Sequence, residues 1–534
     1  MNKSLLYLLY ALPLVFACSS NESLTDDFLL NHSNLVTADS IKAHIAYLAD
    51  DQLKGRLPGT PEYALTMNYV ANQFKALGLK PKGDEGRGYY QDLTIRKGLV
   101  DEGQSFMTYE SDTLIHGEDY VYIANLNEAE TIFEGDLIFA GYGIEAPEFN
   151  YNDYANLQVE GKIVVVLTGS NNDFPSSERA FYSDFVTKFN TASQKGAVGV
   201  LFVNPNGEIN YISGIYDRFQ KRGNTGVLIA ENQVIGRRVY NNKLNFAAFC
   251  SKQFIEQAFK QPMDSLLLNY NQEVNAKITG KLVSHYEDIQ SSNVVGLLEG
   301  EELKNEYIVH TAHLDHVGIG APVDNDSIYN GAHDNASGTS SMIEIARLYT
   351  QLENKPKRSV LFIALTAEEM GLLGSAYYAR NPTVPKSGII ANINTDMPTL
   401  IAPLLSIEPL GAEHSSLMKE VQHAAGLLNL DIMEDHMPEQ VRFVRSDQYN
   451  FILQGIPSLH IKYGLKSATS ETGLKELIDD YTKNVYHKPN DELNDLFDFE
   501  AGRTYVRLQF LISYFINREN EKPQWNAGDF FEKY

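Results

Sequence analysis

Downstream of about residue 285, short apolar runs alternate with segments in which apolar residues recur at helical spacing. Apolar runs bounded by Gly, Asn or Pro predict strands, and the segments between them predict helices. This alternation is typical of a mostly parallel sheet with helices on both faces. The predicted strands are 293–298, 307–311, 359–365, 388–393 and 457–461, and the predicted helices are 337–352 and 371–380.

The first part of the chain is predicted to form helices that carry no candidate catalytic or metal-binding residues. Thr60 can cap a helix whose first turn accommodates Pro61, and apolar residues recur at helical spacing until Gly78. Another helix is predicted over residues 41–49, where three apolar side chains share one face. Both helices are therefore predicted to be packing elements.

The pattern changes near residue 125. Strands are predicted at 136–143, 162–167 and 196–203, and a helix near 185–195. No His occurs between residues 144 and 284, so this part of the chain offers no candidate ligand set. We expect residues 125–275 to form an inserted β-rich domain that shapes or covers a site without supplying its ligands.

The N-terminus carries a targeting pattern. The apolar run over residues 5–17 is too short to span a bilayer comfortably and is typical of a signal-peptide core. It ends in Val15-Phe-Ala-Cys18, which resembles a bacterial lipobox, although Phe16 is bulkier than the usual residue. The resemblance implies cleavage before Cys18 and a lipid on its thiol. We expect an exported bacterial lipoprotein that is membrane-anchored, either in the periplasm or on the cell surface.

Composition limits the classes of function. The chain has 534 residues and a formal net charge of −25, which argues against nucleic-acid binding because that requires a basic surface. There are only two cysteines. If Cys18 carries a lipid, Cys250 has no disulfide partner, and we expect it to be an inert buried thiol.

Candidate chemistry is concentrated in one ordered set of His, Asp and Glu residues. Two imidazoles and three carboxylates suit a pair of Zn²⁺ ions, because zinc accepts N and O ligands and leaves a position for water. Glu369 can bind metal while Glu368 stays free as a general base. Asp315 can accept the second N–H of His313 and fix its tautomer. The set is His313, Asp315, Asp334, Glu368, Glu369, Asp396 and His487.

The predicted fold places these residues together. His313, Glu369 and Asp396 each follow the carboxyl end of a predicted strand, where open α/β sheets form their sites. Asp334 is predicted to start a helix, and His487 lies in a late loop.

Several segments resemble the co-catalytic dizinc aminopeptidase family, which includes the bacterial leucyl-type and vacuolar-type aminopeptidases. The likeness lies in segments 312–316, 331–338, 366–375, 394–397 and 486–491. Residues 125–275 resemble the protease-associated domain common in that family, and residues 47–59 resemble its N-terminal catalytic portion. The resemblance implies a zinc exopeptidase fold and a zinc-dependent aminopeptidase that acts on peptide substrates.

The resemblance also implies a ligand set. Asp334 would bridge two Zn²⁺ ions, His313 and Asp396 would complete one site, and Glu369 and His487 would complete the other.

The same likeness implies roles for the two remaining residues of the set. Glu368 would take a proton from the metal-bridging water and hand it to the leaving amine, while Asp315 would orient His313. His316 and His333 lie in the same motifs, and we expect them to support the ligands or to face solvent.

The sequence pattern and the resemblance to the aminopeptidase family together predict five segments along the chain. They are a signal peptide (1–17), the lipidated Cys and tether (18–36), the first part of the catalytic domain (37–124), the protease-associated domain (125–275) and the second part of the catalytic domain (276–534).

The chain departs from the family near Ser446. Many relatives carry a His after the Ser-Asp pair, where this chain has Gln448, and no aromatic hydroxyl is evident at residues 443–444. The non-metal donor to the oxyanion is left open between Ser446, Arg445 and Gln448.

Three rival functions share parts of this pattern. A carboxypeptidase of the same superfamily shares the ligands but usually carries a dimerisation insertion, which is not seen after Asp396. A non-enzymatic binding protein on the same fold would be expected to have lost ligands or the base. A single-zinc glutaminyl cyclase is disfavoured by the inserted domain.

The acidity of the site predicts which end of a peptide is cleaved. Three ligand carboxylates and Glu368 favour a substrate ammonium, and no Arg/Lys cluster in the nearby sequence is built to grip a C-terminal carboxylate. Arg442 and Arg445 are the only close candidates, and they can instead pair with Asp447 or Glu439. We therefore predict cleavage at free N-termini.

Overall fold

The computed structural model describes residues 24–207, 210–268, 272–398, 400–470 and 473–534. Cys18 and the predicted signal peptide lie outside the described residues.

The helices and strands of the structure have the following bounds. The helices are α1 (Asp26–Ser33), α2 (Ala38–Leu48), α3 (Pro61–Ala76), α4 (Ser176–Ser183), α5 (Phe185–Gln194), α6 (Tyr211–Arg222), α7 (Lys252–Phe259), α8 (Met263–Leu268), α9 (Ser337–Thr350), α10 (Leu373–Arg380), α11 (Leu417–Leu427), α12 (Gln448–Ile452), α13 (Lys475–Asn484) and α14 (Phe499–Arg518). The strands are β1 (Lys80–Pro81), β2 (Tyr90–Val100), β3 (Phe106–Tyr109), β4 (Asp112–Thr113), β5 (Tyr120–Ile123), β6 (Glu130–Phe139), β7 (Glu145–Ala146), β8 (Tyr151–Asn152), β9 (Ile163–Leu167), β10 (Gly199–Val203), β11 (Asn224–Ala230), β12 (Gln233–Ile235), β13 (Phe246–Cys250), β14 (Gln272–Leu298), β15 (Leu303–His313), β16 (Ile319–Val323), β17 (Asp326–Ile328), β18 (Arg358–Leu365), β19 (Ile389–Asn394), β20 (Ser406–Leu410), β21 (Asp431–Ile432) and β22 (Ser458–Tyr463).

The sheet of the second half of the chain is mixed with a parallel centre. Strands β18, β15, β19 and β22 pair in that order and all run parallel. The antiparallel strands β14 and β20 extend the sheet on either side. Because the chain passes from β15 to β18 and then returns to β19 on the other side of β15, the strand order reverses at β15. Such a reversal opens a crevice at the carboxyl ends of the strands, where ligands bind in open α/β sheets.

Helices cover both faces of the central sheet. All eight residues of β18 are buried, as expected for a parallel strand between two helical layers. The larger core packs α2, α3, α9 and α14 on one face, and a smaller core includes Tyr378 and Phe451 on the other. Thr60 caps α3 through its side chain, which accepts a hydrogen bond from the Tyr63 N–H at 3.2 Å. The predicted mixed α/β fold is confirmed.

A second sheet lies in the inserted region. Strands β6, β9, β10 and β13 pair in parallel, and β5 pairs antiparallel with β13. Separate apolar clusters cover the two faces of this sheet. The long strand β14 joins both sheets, because its first half pairs with β6 and its second half pairs with β2. The predicted boundary at residue 275 therefore falls inside a strand that the two sheets share.

Local differences from the expected elements concentrate near the candidate site. Helix α9 begins at Ser337, whereas Asp334 lies in the preceding turn with a non-helical backbone (φ −109°, ψ 92°). Helix α10 begins at Leu373, two residues later than expected. Cys250 is a free buried thiol, as expected. Among the described helices, none combines the length and apolar character needed to cross a bilayer.

Candidate metal centre

Three strand ends bring the predicted residues together. His313 is the last residue of β15, the Glu368-Glu369 pair follows β18, and Asp396 follows β19. These three strands are neighbours in the sheet, so their carboxyl ends meet at the crevice where the strand order reverses.

One group of side chains surrounds the His313 imidazole. Its Nε2 atom lies 3.2 Å from Asp334 Oδ1 and 3.5 Å from Asp396 Oδ1. All three residues are buried. This is the first ligand group that the sequence predicts.

A second group surrounds the Glu369 carboxylate. The Nε2 atom of His487 lies 2.9 Å from Asp334 Oδ2 and 3.1 Å from Glu369 Oε1. His316 joins this group, since its Nδ1 atom lies 2.8 Å from Glu369 Oε1. The sequence predicts a supporting place for His316, and the contact with a ligand carboxylate places it beside the second group.

Asp334 belongs to both groups. Its Oδ1 atom faces His313 and its Oδ2 atom faces His487, which is the arrangement of a bridging carboxylate. The backbone N–H groups of His333 and Asp334 donate to the buried carboxylate of Asp491, at 2.9 and 3.1 Å. Asp491 lies in the loop that carries His487, so one acidic side chain holds two ligand-bearing segments together.

Both groups fit divalent zinc. Two donor atoms bound to one tetrahedral zinc at about 2.0–2.2 Å are separated by roughly 3.3–3.5 Å, close to the separations observed around His313 and His487. Each group places its candidate donor atoms within 4.8 Å of one another. The carboxylates of both groups are largely buried, and such charge requires a cation for compensation. Imidazole and carboxylate donors are also those that zinc accepts.

The protonation of the imidazoles reflects the same excess of negative charge. Burial alone would lower the pKa of His487, but Glu369 and Asp334 raise it to about 10. Burial alone would also lower the pKa of His313. The neighbouring carboxylates of Glu368, Asp334 and Asp396 outweigh this effect, so the pKa of His313 lies well above its usual value. A bound metal cation would take the place of these protons on the ring nitrogens.

Glu368 stands apart from both ligand groups. It lines the same cavity as His313, Asp334 and Asp396 but belongs to neither group of candidate ligands. The pKa of Glu368 lies well above its usual value. Burial raises it most, the positive charge of His313 opposes this effect, and the negative charge of Glu369 adds to it. A carboxylate in this position can exchange a proton with a molecule in the cavity.

Asp315 acts on the glutamate pair as well as on His313. Its two carboxylate oxygens accept the backbone N–H groups of Glu368 and Glu369, at 3.0 and 3.2 Å. The Nδ1 atom of His313 lies 3.2 Å from the main-chain carbonyl of Asp315 and 4.0 Å from its carboxylate. The expected carboxylate–imidazole hydrogen bond is thus replaced by one to the carbonyl, because the carboxylate is engaged by the loop after β18.

Asp396 is fixed by three further groups. Its Oδ2 atom accepts a hydrogen bond from Ser446 Oγ at 2.5 Å, and its main-chain carbonyl accepts one from Lys462 Nζ at 3.1 Å. His460 Nε2 lies 3.0 Å from the same carbonyl. Gln448 is buried away from the cavity, where its side chain donates to the carbonyl of Phe443 at 2.7 Å.

A cavity of about 310 Å³ adjoins the first ligand group. This volume is at the lower end of the range for sites that hold small ligands. The wall mixes apolar and polar side chains, including Met397, Ile401, Met437, Tyr463 and Tyr486. An apolar or polar side chain of a substrate could enter it beside Glu368.

Tyr486 supplies an aromatic hydroxyl that sequence reasoning missed. Its ring stacks on His487 with centroids 3.9 Å apart, and its hydroxyl accepts a hydrogen bond from Arg445 Nη2 at 3.4 Å. The signal was present in the sequence, because Tyr486 directly precedes the ligand His487.

Arg56 is a further residue that sequence reasoning did not single out. Its buried guanidinium donates to the carbonyls of Leu48, Leu314, Asn330 and Gly331, at 2.6, 2.9, 2.5 and 2.9 Å. These carbonyls flank the segments that carry His313 and Asp334. One cation therefore ties α2 to both ligand-bearing loops.

Arg442 and His333 are bound elsewhere. Arg442 pairs with Glu408 at 2.5 Å and also with Asp435, in place of the partners expected from the sequence. The Nδ1 atom of His333 lies 3.1 Å from Asp491, and its ring stacks on Phe497. His333 therefore supports the Asp334 loop, in agreement with its expected role.

Two parts of the chain match known families. Residues 293–507 match Peptidase family M28, and residues 133–243 match the PA domain. These ranges agree with the ligand-bearing sheet and with the inserted sheet, respectively.

Curated relatives match over short segments. Aminopeptidase YwaD of Bacillus subtilis (strain 168) is 39% identical over 89 residues, which are 16% of this chain and 17% of that protein. A probable zinc metalloprotease of Pyrenophora teres f. teres (strain 0-1) is 33% identical over 109 residues, which are 20% of this chain and 23% of that protein. The matched segments thus span less than a quarter of each relative's length.

A solved structure shows the same fold across most of the chain. The aminopeptidase from Aneurinibacillus sp. strain AM-1 is 18% identical with a TM-score of 0.52, and the match covers 92% of this chain and 97% of that one. The chain is therefore similar to peptidase family M28 over residues 293–507 and to the PA domain over residues 133–243.

Proposed function

We propose that this chain is a zinc-dependent aminopeptidase that uses two Zn²⁺ ions to hydrolyse N-terminal residues from peptides. The observation that carries the proposal is the pair of ligand groups that share Asp334 beside the unengaged Glu368. The match to peptidase family M28 supports peptide hydrolysis, and the similarity to an aminopeptidase and to a probable zinc metalloprotease supports zinc and aminopeptidase activity.

The side chains of the site divide the chemical work. Two bound zinc ions would lower the pKa of a water molecule and stabilise negative charge on the scissile carbonyl oxygen. Glu368 accepts a proton from the attacking water at a carboxylate oxygen and passes it to the leaving amine. Asp315 keeps Glu368 and Glu369 in place through their backbone N–H groups. The Tyr486 hydroxyl can donate to the developing oxyanion.

The charge of the cavity supports attack at a free N-terminus. Asp334, Glu368 and Asp396 line it, together with the cations Arg442, Arg445 and Lys462. Arg442 is paired with Glu408 and Lys462 donates to the main-chain carbonyl of Asp396, so the carboxylates beside His313 remain to attract a substrate ammonium. Anchoring the ammonium also fixes which peptide bond lies beside the base. A blocked N-terminus would lose both the attraction and the anchor.

Hydrolysis of a panel of peptides tests the proposal. We expect peptides with a free N-terminus to lose their first residue, N-acetylated peptides to resist, and a chelator to abolish turnover until zinc is restored. Chelator-insensitive turnover, or cleavage of the acetylated peptides only, would contradict the proposal.

A carboxypeptidase of the same superfamily is the second candidate. Arg445 favours it, because this cation lines the cavity and forms no ion pair with any described residue. The same panel separates the two candidates. An acetylated peptide with a free C-terminus that loses its last residue would establish the carboxypeptidase.

Replacing Tyr486 by phenylalanine is expected to lower kcat by about 10²-fold, because loss of one oxyanion donor has effects of this order. Metal content should stay unchanged, since the phenol belongs to neither ligand group. Steady-state kinetics and metal analysis check this result. Tyr463→Phe is the matched control, because Tyr463 lines the same cavity. Equal losses in both variants, or no loss in Tyr486→Phe, would refute the role.

We also propose that the chain is an exported lipoprotein, anchored through a lipid on Cys18. The lipobox-like sequence ending at Cys18 supports this proposal. In a bacterial host, Cys18→Ser should move the protein from the membrane fraction to the soluble fraction and abolish incorporation of a labelled fatty acid. Unchanged fractionation and labelling would refute the anchor.

A further inference from the structure

Unpaired arginines gather beside the metal centre, although the chain carries a net charge of −25. Arg218 and Arg222 lie four residues apart on α6 and therefore share one face of that helix. Within the described residues, neither side chain forms a hydrogen bond or an ion pair. Arg445, on the wall of the cavity, contacts only the hydroxyl of Tyr486 among polar partners.

The PA domain carries two of these arginines to the loop of the catalytic glutamates. Thr225, which follows α6, donates through Oγ1 to the carbonyl of Met370 at 2.5 Å. A Cβ placed on Gly371 would lie 4.0 Å from Cβ and Cγ of Arg237. Met370 and Gly371 directly follow Glu369 in the chain. The start of β11 and the segment after β12 thus rest on the loop that holds the base and a ligand.

Electrostatic interactions link the arginines to each other and to the centre. Burial lowers the pKa of Arg218, and so do the like charges of Arg222, Arg237 and Arg445, whereas Glu369 raises it. These electrostatic interactions, together with the contacts that Thr225 and Arg237 make with the loop after Glu369, indicate that Arg218 lies near the site. Like charges repel one another at such a position unless an anion binds between them.

Two other cations near this cluster are already engaged. The guanidinium of Arg238 lies over the rings of Phe185 and Phe219, 5.8 and 5.9 Å from their centroids. Arg237 has Asp184 as a partner at 3.8 Å. Arg218, Arg222 and Arg445 are therefore the cations that remain for a ligand.

We propose that Arg218, Arg222 and Arg445 form a subsite for a carboxylate on the leaving side of the substrate. The inference rests on the proposed aminopeptidase function and names its substrate class. Although Arg218 is partly buried, all three residues keep exposed surface and lie toward solvent, where the peptide beyond the scissile bond must leave. The carboxylate would therefore belong to a residue on the leaving side of the scissile bond.

Two sources can supply this carboxylate. It is either the C-terminus of a di- or tripeptide or an acidic side chain in a longer peptide. Guanidinium groups bind carboxylates in both settings through paired N–H donors. The nearby sequence alone had offered no such cluster, because Arg218 and Arg222 come from a domain more than two hundred residues upstream of Arg445.

Matched substrates test the subsite and separate its sources. One pair is a tripeptide as its free acid and as its amide, and the other is a longer C-terminal amide with Glu or Gln at the third position. We expect the native enzyme to favour the charged member of at least one pair by about tenfold in kcat/KM, the size of one charge-assisted contact. The preference should fall at higher ionic strength.

Arginine variants assign the preference to the cluster. In Arg218→Gln and Arg445→Gln the preference should be lost mainly through KM, since the contact exists before and during the reaction. Arg218→Lys should keep part of it. Lys243→Gln, which removes an exposed positive charge from a PA-domain turn, is the control and should leave the preference unchanged.

Binding separates failure of the subsite from failure of the proposed function. Calorimetry with the Glu368→Ala variant should give tighter binding of the charged peptide in the responsive pair. If the native enzyme cleaves neutral and charged peptides equally well, the subsite is refuted while the aminopeptidase stands. If no free N-terminus is cleaved, the proposed aminopeptidase function fails. Calorimetry then still tests the subsite, because equal dissociation constants for both members of each pair would refute it. A charge preference that survives in both glutamine variants would also refute it.

Discussion

Replacing Glu368 by alanine is expected to lower kcat by about 10²–10⁴-fold while the protein keeps two zinc ions per chain. The magnitude is that of removing a general base. The metal content should persist because Glu368 lies outside both ligand groups, which share Asp334. Single-turnover kinetics and metal analysis of the same preparation check both halves of this expectation.

Glu369→Ala is the matched control for that experiment. Glu369 is the neighbouring residue, and its Oε1 atom lies within 3.1 Å of both His316 Nδ1 and His487 Nε2. Its loss should therefore lower the zinc content as well as the activity. Metal-free Glu368→Ala protein, or near-normal turnover of that variant, would contradict the assignment of Glu368 as the base.

The placement of the candidate metal ligands could be predicted because it depends on strand ends. The apolar runs of β15, β18 and β19 are continuous in the sequence, and the residues that follow them are the predicted ligands or the base. Parallel strands must present their carboxyl ends at one edge of the sheet. His313, Glu369 and Asp396 could therefore be brought together without knowledge of any side-chain contact.

The supporting contacts could not be predicted because they join segments that are distant in the sequence. Asp491 holds the backbone of Asp334, and the carboxylate of Asp315 holds the loop after β18 instead of His313. The predicted helix start at Asp334 failed for the same reason, since Asp491 holds the turn ahead of α9. Periodicity reports which face of an element is buried and does not report these partners.

The charged side chains around the site also come from segments that are distant in the sequence, so their grouping could not be predicted. The sequence near Arg445 contains no basic cluster, and the arginines that we propose to act with Arg445, Arg218 and Arg222, lie in a distant part of the chain. Glu368 and Asp396 line the cavity, as expected, together with the cations Arg442, Arg445 and Lys462. If the proposed subsite exists, the cavity carboxylates and the arginines would together suit a peptide whose ammonium and carboxylate are a few residues apart.

Arg56 explains how the first part of the chain contributes to a site made mainly by the second. Its guanidinium binds four main-chain carbonyls, and Gly55 beside it adopts a positive φ of 69° against the carbonyl of Tyr329. Burial lowers the pKa of Arg56 to about 10, while the charges of Asp491, Asp315 and Asp334 raise it. The cation thus offsets part of the buried negative charge and holds the two ligand-bearing loops.

Arg56→Met is expected to destabilise the protein by about 3 kcal/mol or more, because buried carbonyls left without a donor each lose roughly 1–3 kcal/mol. Arg56→Lys should recover only part of this loss, since one ammonium cannot reproduce the planar fork of a guanidinium. Thermal unfolding, zinc content and hydrogen exchange in segments 312–316 and 330–334 measure the effect. Arg87→Met is the control, because Arg87 is exposed and pairs only with Asp92 on the surface. Equal losses of stability in Arg56→Met and Arg87→Met, with normal zinc content in both, would show that Arg56 does not hold the centre.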